Sequence, residues 1–395
     1  MANPYLKFNN KTVRVGSDGG RLISPFEPIP PYTLRVEFVD TPACQSAGFD
    51  PTQGTGVESA PDWAYGTWRH VYGNVYDWTY PSDNWFVDYQ NQNGVYHGSV
   101  WGLTNGGSGG TKDDRFRTLA YRVVGANLTG VKYIPKLFYN TGKYLVSVAL
   151  FDTSMIECAG GMFNSGRYSR PQYLTRLPDF DFSGIINDSL PPGCSASWAK
   201  SNLILGLMAF SNGNTKLIAT PNLTFPSSRA ISIEQMYSGC TALTSATLNG
   251  LHCSTAAQAF SECTNLTSAT LSNCVLEVAG RMFGSPTDPS SACPLSDSLT
   301  MTNVKVVGNA SYMFRYCNLK TVPLFDTSET TSMSSMFANN YNVESGALAL
   351  YQQASSQATP PSTYGNCFTN CGRDTVTGSA ELAQIPTDWG GTMSA

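Results

Sequence analysis

Apolar positions recur along residues 119–371 in two short phrases, separated by polar, turn-forming stretches. The first phrase is a run bounded by leucine: Leu145-Val146-Ser147-Val148-Ala149-Leu150, Leu243-Thr244-Ser245-Ala246-Thr247-Leu248, Leu266-Thr267-Ser268-Ala269-Thr270-Leu271 and Leu319–Leu324. Shorter versions stand at Leu174–Pro178 and Leu217–Pro221. The second phrase is an aromatic residue, usually after Met and often followed three residues later by Cys. It appears as Met236-Tyr237…Cys240, Phe260…Cys263, Met282-Phe283, Met313-Phe314…Cys317, Met336-Phe337 and Cys367-Phe368…Cys371. Tyr237, Phe260 and Phe283 are 23 residues apart, as are Phe314 and Phe337. The step from Phe283 to Phe314 is 31, which leaves room for an eight-residue insertion near Pro286–Cys293.

A longer phrase fixes the phase. Leu150-Phe151-Asp152-Thr153-Ser154 followed by Met162-Phe163 is repeated as Leu324-Phe325-Asp326-Thr327-Ser328 followed by Met336-Phe337, with the same twelve-residue spacing between the two Phe. A third motif, Val304-Lys305-Val306-Val307-Gly308-Asn309, is echoed at Tyr121–Asn127. Self-similarity at such a period is the mark of a repeat architecture, and about 23 residues lies in the leucine-rich-repeat range. The pattern predicts a β-rich α+β solenoid. Each unit has a short strand on one side and a helical or irregular turn on the other, with the Met-Phe pair starting a helical turn. Leu and Phe point inward and stack on their equivalents, each burial worth roughly 1.5–3 kcal/mol. Cys240, Cys263, Cys317 and Cys371 share one repeat position and form a column.

The flanks follow other rules. Residues 1–40 carry short alternating runs, Tyr5-Leu6-Lys7-Phe8 and Thr12-Val13-Arg14-Val15, which read as a hairpin. A stiff connector with Pro25, Pro28, Pro30 and Pro31 comes next, then a strand over 32–40 with Leu34, Val36 and Phe38 on one face and Arg35 and Glu37 on the other. Residues 41–117 are crowded with aromatics and read as a small β module or cap, since the first coil of a stack exposes an apolar edge. Residues 118–371 are the repeats, and 372–395 a C-terminal cap, with Ile385–Gly391 folding over the open end. Ala347–Ala354 is the best helix candidate.

Charged residues are 13% of the chain, half the ordinary share of about 25%, and aromatic residues 12%. Ser, Thr, Asn and Gly fill the difference, which suits a β-rich protein with polar faces. The net charge of −4 leaves no basic stripe for nucleic acid. The N-terminus has no apolar signal core, and no run approaches the roughly 20 apolar residues of a membrane helix. The expected location is therefore the cytoplasm of synthesis, or a route out without a cleaved signal, such as assembly into a virus particle. The 11 Cys read as small buried hydrophobes in a reducing compartment, a disulfide framework being the other reading.

The Leu-Phe-Asp-Thr-Ser phrase, the Met-Phe twelve residues on and the Phe-x-x-Cys turns resemble the BspA-like leucine-rich repeats also found in mycoplasma surface lipoproteins. The likeness covers about residues 119–371. Similar proteins, with a short non-secretory N-terminus and an aromatic module before the repeats, look like those encoded by phages of gut Bacteroides-type bacteria and by those bacteria. The resemblance implies an adhesive scaffold. The expectation is a non-enzymatic virion structural or recognition protein: a tail fibre, spike or capsid decoration. It would attach to other virion proteins through residues 1–40 and contact host-surface glycan or protein through its repeats. A bacterial cell-surface adhesin of the same fold is the second reading, and a glycan-degrading tail enzyme the third. A homo-oligomer is compatible with all three, though no heptad or collagen-like stretch specifies one.

Candidate chemistry is sparse. His70, His97 and His252 have no partner at metal-ligand spacing, and neither a nucleophile elbow nor a phosphate-binding loop is present. The Gly106–Gly110 run reads as linker. No cofactor, metal or catalytic residue is expected. Asp179 and Asp181 are the one carboxylate pair that could cleave sugars, and they equally match Asp152 and Asp326 of the repeat phrase. Trp63, Trp68, Trp78, Trp85 and Trp101 are the ligand-binding candidates, because Trp stacks on sugar rings and buries partner surface. The competing reading makes them the core of the cap.

Overall fold

The computed structural model describes residues 27–39, 66–91, 94–101, 120–139, 144–164, 173–186 and 210–393, and the backbone of short strands at 5–8, 11–14, 16–18, 21–23, 104–105 and 110–111. Between 87 and 98 only the backbone is described. The fold is β-rich, with two α-helices among the described residues.

The N-terminal strands β1 (Tyr5–Phe8) and β2 (Lys11–Arg14) pair as an antiparallel hairpin, and β3 (Gly16–Asp18) pairs with β4 (Arg21–Ile23). A mixed sheet follows, from β5 (Thr33–Phe38), β6 (Thr67–Tyr72) and β7 (Val75–Thr79). Two separate hairpins come next in the chain, β8 (Phe86–Asn91) with β9 (Gly94–Ser99) and β10 (Thr104–Asn105) with β11 (Gly110–Thr111). Strands β12 (Tyr121–Asn127) and β13 (Leu145–Val148) complete the mixed sheet in the order β13-β12-β5-β7-β6. Only β12 and β13 are parallel, so the sheet changes from antiparallel to parallel pairing at β12.

Alternation in β5 is legible in burial: Leu34, Val36 and Phe38 are fully buried. The opposite face departs from expectation, because Arg35 is buried as well. Its guanidinium forms a fork on Asp77, at 2.7 and 3.0 Å, and Asp77 has no solvent exposure. Arg69 reaches the same carboxylate at 2.6 Å and Glu27 at 2.7 Å, tying β6 and the proline connector to the pair.

The second sheet is parallel. It contains β14 (Ile231–Ser232), β15 (Ser245–Asn249), β16 (His252–Thr255), β17 (Ser268–Val278), β18 (Ser298–Asn309) and β19 (Asp326–Ser332). Ala246 pairs with Ala269, which pairs in turn with Leu299, and Leu248 with Leu271, which pairs with Met301, all on the inner side. Leu174–Pro178, Leu217–Pro221 and Leu319–Leu324 hold no strand longer than an isolated bridge.

Directly after the strands of this sheet runs a second hydrogen-bond ladder, and it corrects the expected helical turn at Met-Phe. Alternate backbone N–H groups of each aromatic segment donate to the segment 22 to 30 residues on: Ala256 to Val278, Gln258 to Gly280, Phe260 to Met282; then Ala310 to Ser332, Tyr312 to Ser334, Phe314 to Met336. A right-handed helix needs negative φ at each of its residues. The residue before each Met-Phe pair is left-handed instead: Gln235, Arg281, Tyr312 and Ser335 all have positive φ. Non-glycine residues hold that conformation at a cost on the order of 1–3 kcal/mol, sustained only where surroundings over-determine it.

The rings form one file. Tyr237, Phe260, Phe283, Phe314, Phe337 and Phe368 stack in succession, with centroid separations of 5.5, 5.0, 5.6, 5.3 and 5.9 Å and planes within 19° of parallel. Strands repeat every ~4.7–4.9 Å, so one offset-stacked ring per segment matches the ladder. The Cys positions run alongside: Cys240, Cys263, Cys317 and Cys371 are fully buried, and each N–H donates to the aromatic carbonyl three residues earlier. Cys293, at the end of the insertion, takes the same place beside Phe283.

The C-terminal end is closed by α1 (Ala347–Ser355), α2 (Val376–Leu382) and Trp389. Trp389 stacks on Tyr364 at 4.3 Å, and its carbonyl accepts the Phe368 N–H. The sequence does not predict α2, since Gly378 and Ser379 are poor helix formers. Thr375 caps it, its side chain accepting from the Gly378 N–H at 3.0 Å.

Candidate recognition surface

Alternation along β15, β17 and β18 sends one set of side chains inward and the other to solvent. Parallel, in-register pairing then turns three sequence positions into three rows. Ser245, Ser268 and Ser298 form one, Thr247, Thr270 and Thr300 the next, and Asn249, Ser272 and Thr302 the third. Thr220 borders β15: its hydroxyl accepts the Thr247 N–H at 2.8 Å, where Ala219 bridges Ser245. Strand geometry spaces the rows at ~6.6 Å and their members at ~4.8 Å.

These rows contain no charge. Every hydroxyl can both donate and accept, and short side chains have little rotamer freedom to lose. The edge is fixed by an amide chain. Asn303 donates to Asn273 at 3.0 Å, Asn273 to Asn249 at 3.1 Å, and Ser272 to the same Asn249 oxygen at 2.8 Å. Asn273 and Asn303 are both left-handed, with φ of 54° and 53°. They turn β17 and β18 from the hydroxyl rows into a charged strip. There His252 contacts Glu277 at 2.9 Å, and Lys305 contacts Glu329. The His252–Glu277 pairing is invisible at sequence level, because the register that joins positions 25 residues apart is needed to see it.

The tryptophan candidates occupy a different place. Trp78, Trp85 and Trp101 are 5%, 0% and 6% exposed. Trp78 meets Trp85 edge-on at 5.3 Å and Trp101 at 5.0 Å. Their rings are the core of the N-terminal sheet, so they present no face for stacking on a ligand; this corrects the expectation for these three. Trp68 is half-buried and packs on Phe38 and Trp101. Trp63 lies outside the described residues.

Asp179 and Asp181 are both exposed. Asp181 accepts the Ser183 N–H at 2.9 Å, as Asp152 accepts that of Ser154 and Asp326 that of Ser328. Asp179 accepts the Asn222 N–H at 2.7 Å. Asp181 therefore caps a turn, and Asp179 ties two segments 43 residues apart. Among the described residues no group of three His, Cys, Asp or Glu is placed to hold a metal ion. No helix there is long and apolar enough to cross a membrane.

Comparison with protein-family models, with curated proteins and with solved structures returns no match for this chain.

Proposed function

We propose that residues 119–371 form a BspA-like leucine-rich-repeat solenoid whose hydroxyl rows are a recognition surface. In this reading the chain is a non-enzymatic recognition component of a bacteriophage particle, a tail fibre, spike or capsid decoration, that contacts host-surface glycan or protein. The observation that carries it is the set of aligned rows at Ser245, Thr247 and Asn249, repeated on β17 and β18. A stacked ring file and two hydrogen-bond ladders hold those rows rigid, which leaves little entropy to lose on binding. Neutral donors and acceptors at a regular pitch suit a polyhydroxylated ligand. The engagement of Asp179 and Asp181 with backbone N–H groups speaks for binding over cleavage.

The test has two arms. Binding of the intact chain to an array of surface glycans from candidate host bacteria is compared with that of Thr247→Val, Thr270→Val and Thr300→Val combined. Loss of binding with an unchanged unfolding midpoint supports the surface, and unchanged binding rejects it. Mass spectrometry of purified particles and of cell envelopes addresses location. Recovery from envelopes alone replaces the virion reading with the adhesin one.

A further inference from the structure

We propose that Arg281, Arg315, Tyr312 and Tyr316, on the side of the aromatic turns, form a site for the anionic groups of an acidic polysaccharide. The ladder places them together. Arg281 N–H donates to Ser311 C=O at 3.0 Å, and Ser285 N–H to Arg315 C=O at 3.3 Å, so the segment that carries Arg281 lies directly against the one that carries Tyr312. The guanidinium carbons of Arg281 and Arg315 stand 5.8 and 5.6 Å from the Tyr312 ring centre. Arg315 is also 4.9 Å from the Tyr316 ring. The eight-residue insertion forms the adjoining lip, because Arg315 Nη1 donates to the Pro286 carbonyl at 2.6 Å. Gly284 lets the two segments close: a Cβ there would lie 2.2 Å from the Tyr312 carbonyl oxygen.

Two guanidinium groups share one ring here without a counter-charge among the described residues. Arg35, Arg69, Arg122, Lys132, Lys305 and Arg373 each have a carboxylate partner. Arg281 and Arg315 have none within 4 Å among the described residues, and Arg315 Nε is buried without an acceptor. Two guanidinium groups are thus gathered over one ring in a chain of net charge −4. Ring faces attract them and do not neutralise them. An anion on the exposed Arg281 guanidinium would gain charge-assisted, fork-shaped hydrogen bonds, while Arg315, whose Nη2 donates to the Tyr316 hydroxyl at 3.3 Å, adds its positive charge alongside. The phenol rings and the Tyr316 hydroxyl add an amphipathic surface that a sugar ring can cover. Arg281 is exposed and the other three are half-buried, so the site lies open on a surface, as suits a chain of repeated uronate or sulfate groups.

This inference rests on the recognition reading for its choice of a carbohydrate, but on residues separate from the hydroxyl rows. The probes are alginate, dextran sulfate, neutral dextran, polyglutamate and inorganic sulfate, offered to the full chain by biolayer interferometry at low and high salt. Binding to alginate or dextran sulfate, weakened by salt and reduced about tenfold or more in Arg281→Gln, is expected, with alginate separating a uronate site from a sulfate one. Arg281→Lys should retain part of it, and the triple Thr→Val variant all of it. Equal binding by Arg281→Gln and wild type overturns the site, as does equal binding to neutral dextran. Preference for polyglutamate makes the ligand an acidic peptide, and response to sulfate without polysaccharide binding makes it a lone-anion site; either overturns the carbohydrate assignment. Arg315→Gln removes the Pro286 contact as well, so Arg281→Gln, with its unfolding midpoint as control, decides the matter. None of these outcomes alters the glycan-array test of the hydroxyl rows.

Discussion

The rings of Phe260 and Phe283 lie 5.0 Å apart, centre to centre, with their planes 1° from parallel. The Phe260 N–H also donates to the carbonyl of Met282, the residue before Phe283, at 2.9 Å. Ring and backbone are thus in one register, and the core can advance only by whole segments. Where the register loses its ring, packing changes. Ser211 occupies the aromatic position, its N–H donating to Met236 as that of Tyr237 does to Ala259. Phe210 then enters edge-on, at 85° to Phe163.

Phe283 stands mid-file with stacked neighbours on both sides. Phe283→Ala should destabilise by about 3–5 kcal/mol, the usual range for a fully buried Phe. Phe283→Leu should cost less, because it loses the stack and keeps most of the volume. Urea unfolding followed by circular dichroism measures both. A loss in Phe283→Ala below about 1 kcal/mol would mean that the file is not a shared core.

Asn340 interrupts the cysteine column with a side chain that does more than thiol packing. Its amide donates to Phe314 C=O and Phe337 C=O, both at 2.8 Å, and its oxygen accepts the Leu319 N–H at 3.0 Å. Asn340→Ala strands these buried groups and should cost about 1–3 kcal/mol per unmet group that stays dry. Asn340→Cys should recover part of it, since Cys263 donates from the same position to Tyr237 C=O at 3.1 Å. Paired unfolding curves of the two variants check the order.

Much of this could be read from the chain. The 23-residue interval gave the ring file, the Cys column and the outer Thr positions of β15 and β17, because stacking converts sequence period directly into spatial alignment. The eight-residue insertion was visible as a broken interval. Partnerships that need register were not: His252 with Glu277, or Arg281 with Tyr312. The turn conformation at Met-Phe was misread as helical, since nothing in Met-Phe reveals that its N–H groups are committed to another segment. The Trp cluster was legible as aromatic and ambiguous in direction; burial of Trp85 decides it, because only a core position removes an indole wholly from water.

Asp77 is a buried carboxylate with two arginines on it. Breaking such a pair is costlier than its net worth, because a charge stays buried without a counter-ion. Asp77→Ala should therefore cost about 3–5 kcal/mol, and more than Arg69→Ala, since Arg69 is 45% exposed in its side chain. The Arg35→Met, Asp77→Leu double variant should recover much of that loss. Thermal unfolding of the three variants tests the ranking, and equal losses for Asp77→Ala and Arg69→Ala would contradict it.

The buried thiols should be chemically silent. Burial pushes the Cys253 thiol up to about 12, and pushes those of Cys240, Cys293, Cys317 and Cys367 well above the ordinary range. Only thiolate alkylates. Iodoacetamide near neutral pH should leave these five unlabelled in the native protein and label all of them in guanidinium chloride, as read by peptide mass spectrometry. Rapid native labelling of Cys240 or Cys317 would argue against a closed column.

Asp152 and Asp326 give the acid limb of stability a defined cause. Each carboxyl is held below its usual range first by the hydroxyl of the Ser two residues on and then by that residue's N–H, with Lys305 adding a smaller pull at Asp326. A folded-state value below the unfolded one means stability that is present above the unfolded value, ~3.9, and is lost as pH falls through the folded value. Both groups are exposed, so solvent screening keeps the effect small. Ser328→Ala removes the largest cause at Asp326 and should lower the unfolding midpoint slightly at neutral pH. Asp326→Asn, which keeps the turn acceptor and cannot ionise, should flatten the acid limb. Midpoints measured from about pH 2 to about pH 7 should show the gap between wild type and Ser328→Ala narrowing as pH falls through the folded value. A gap that stays constant over that range would mean that the serine acts on the turn and not on the charge.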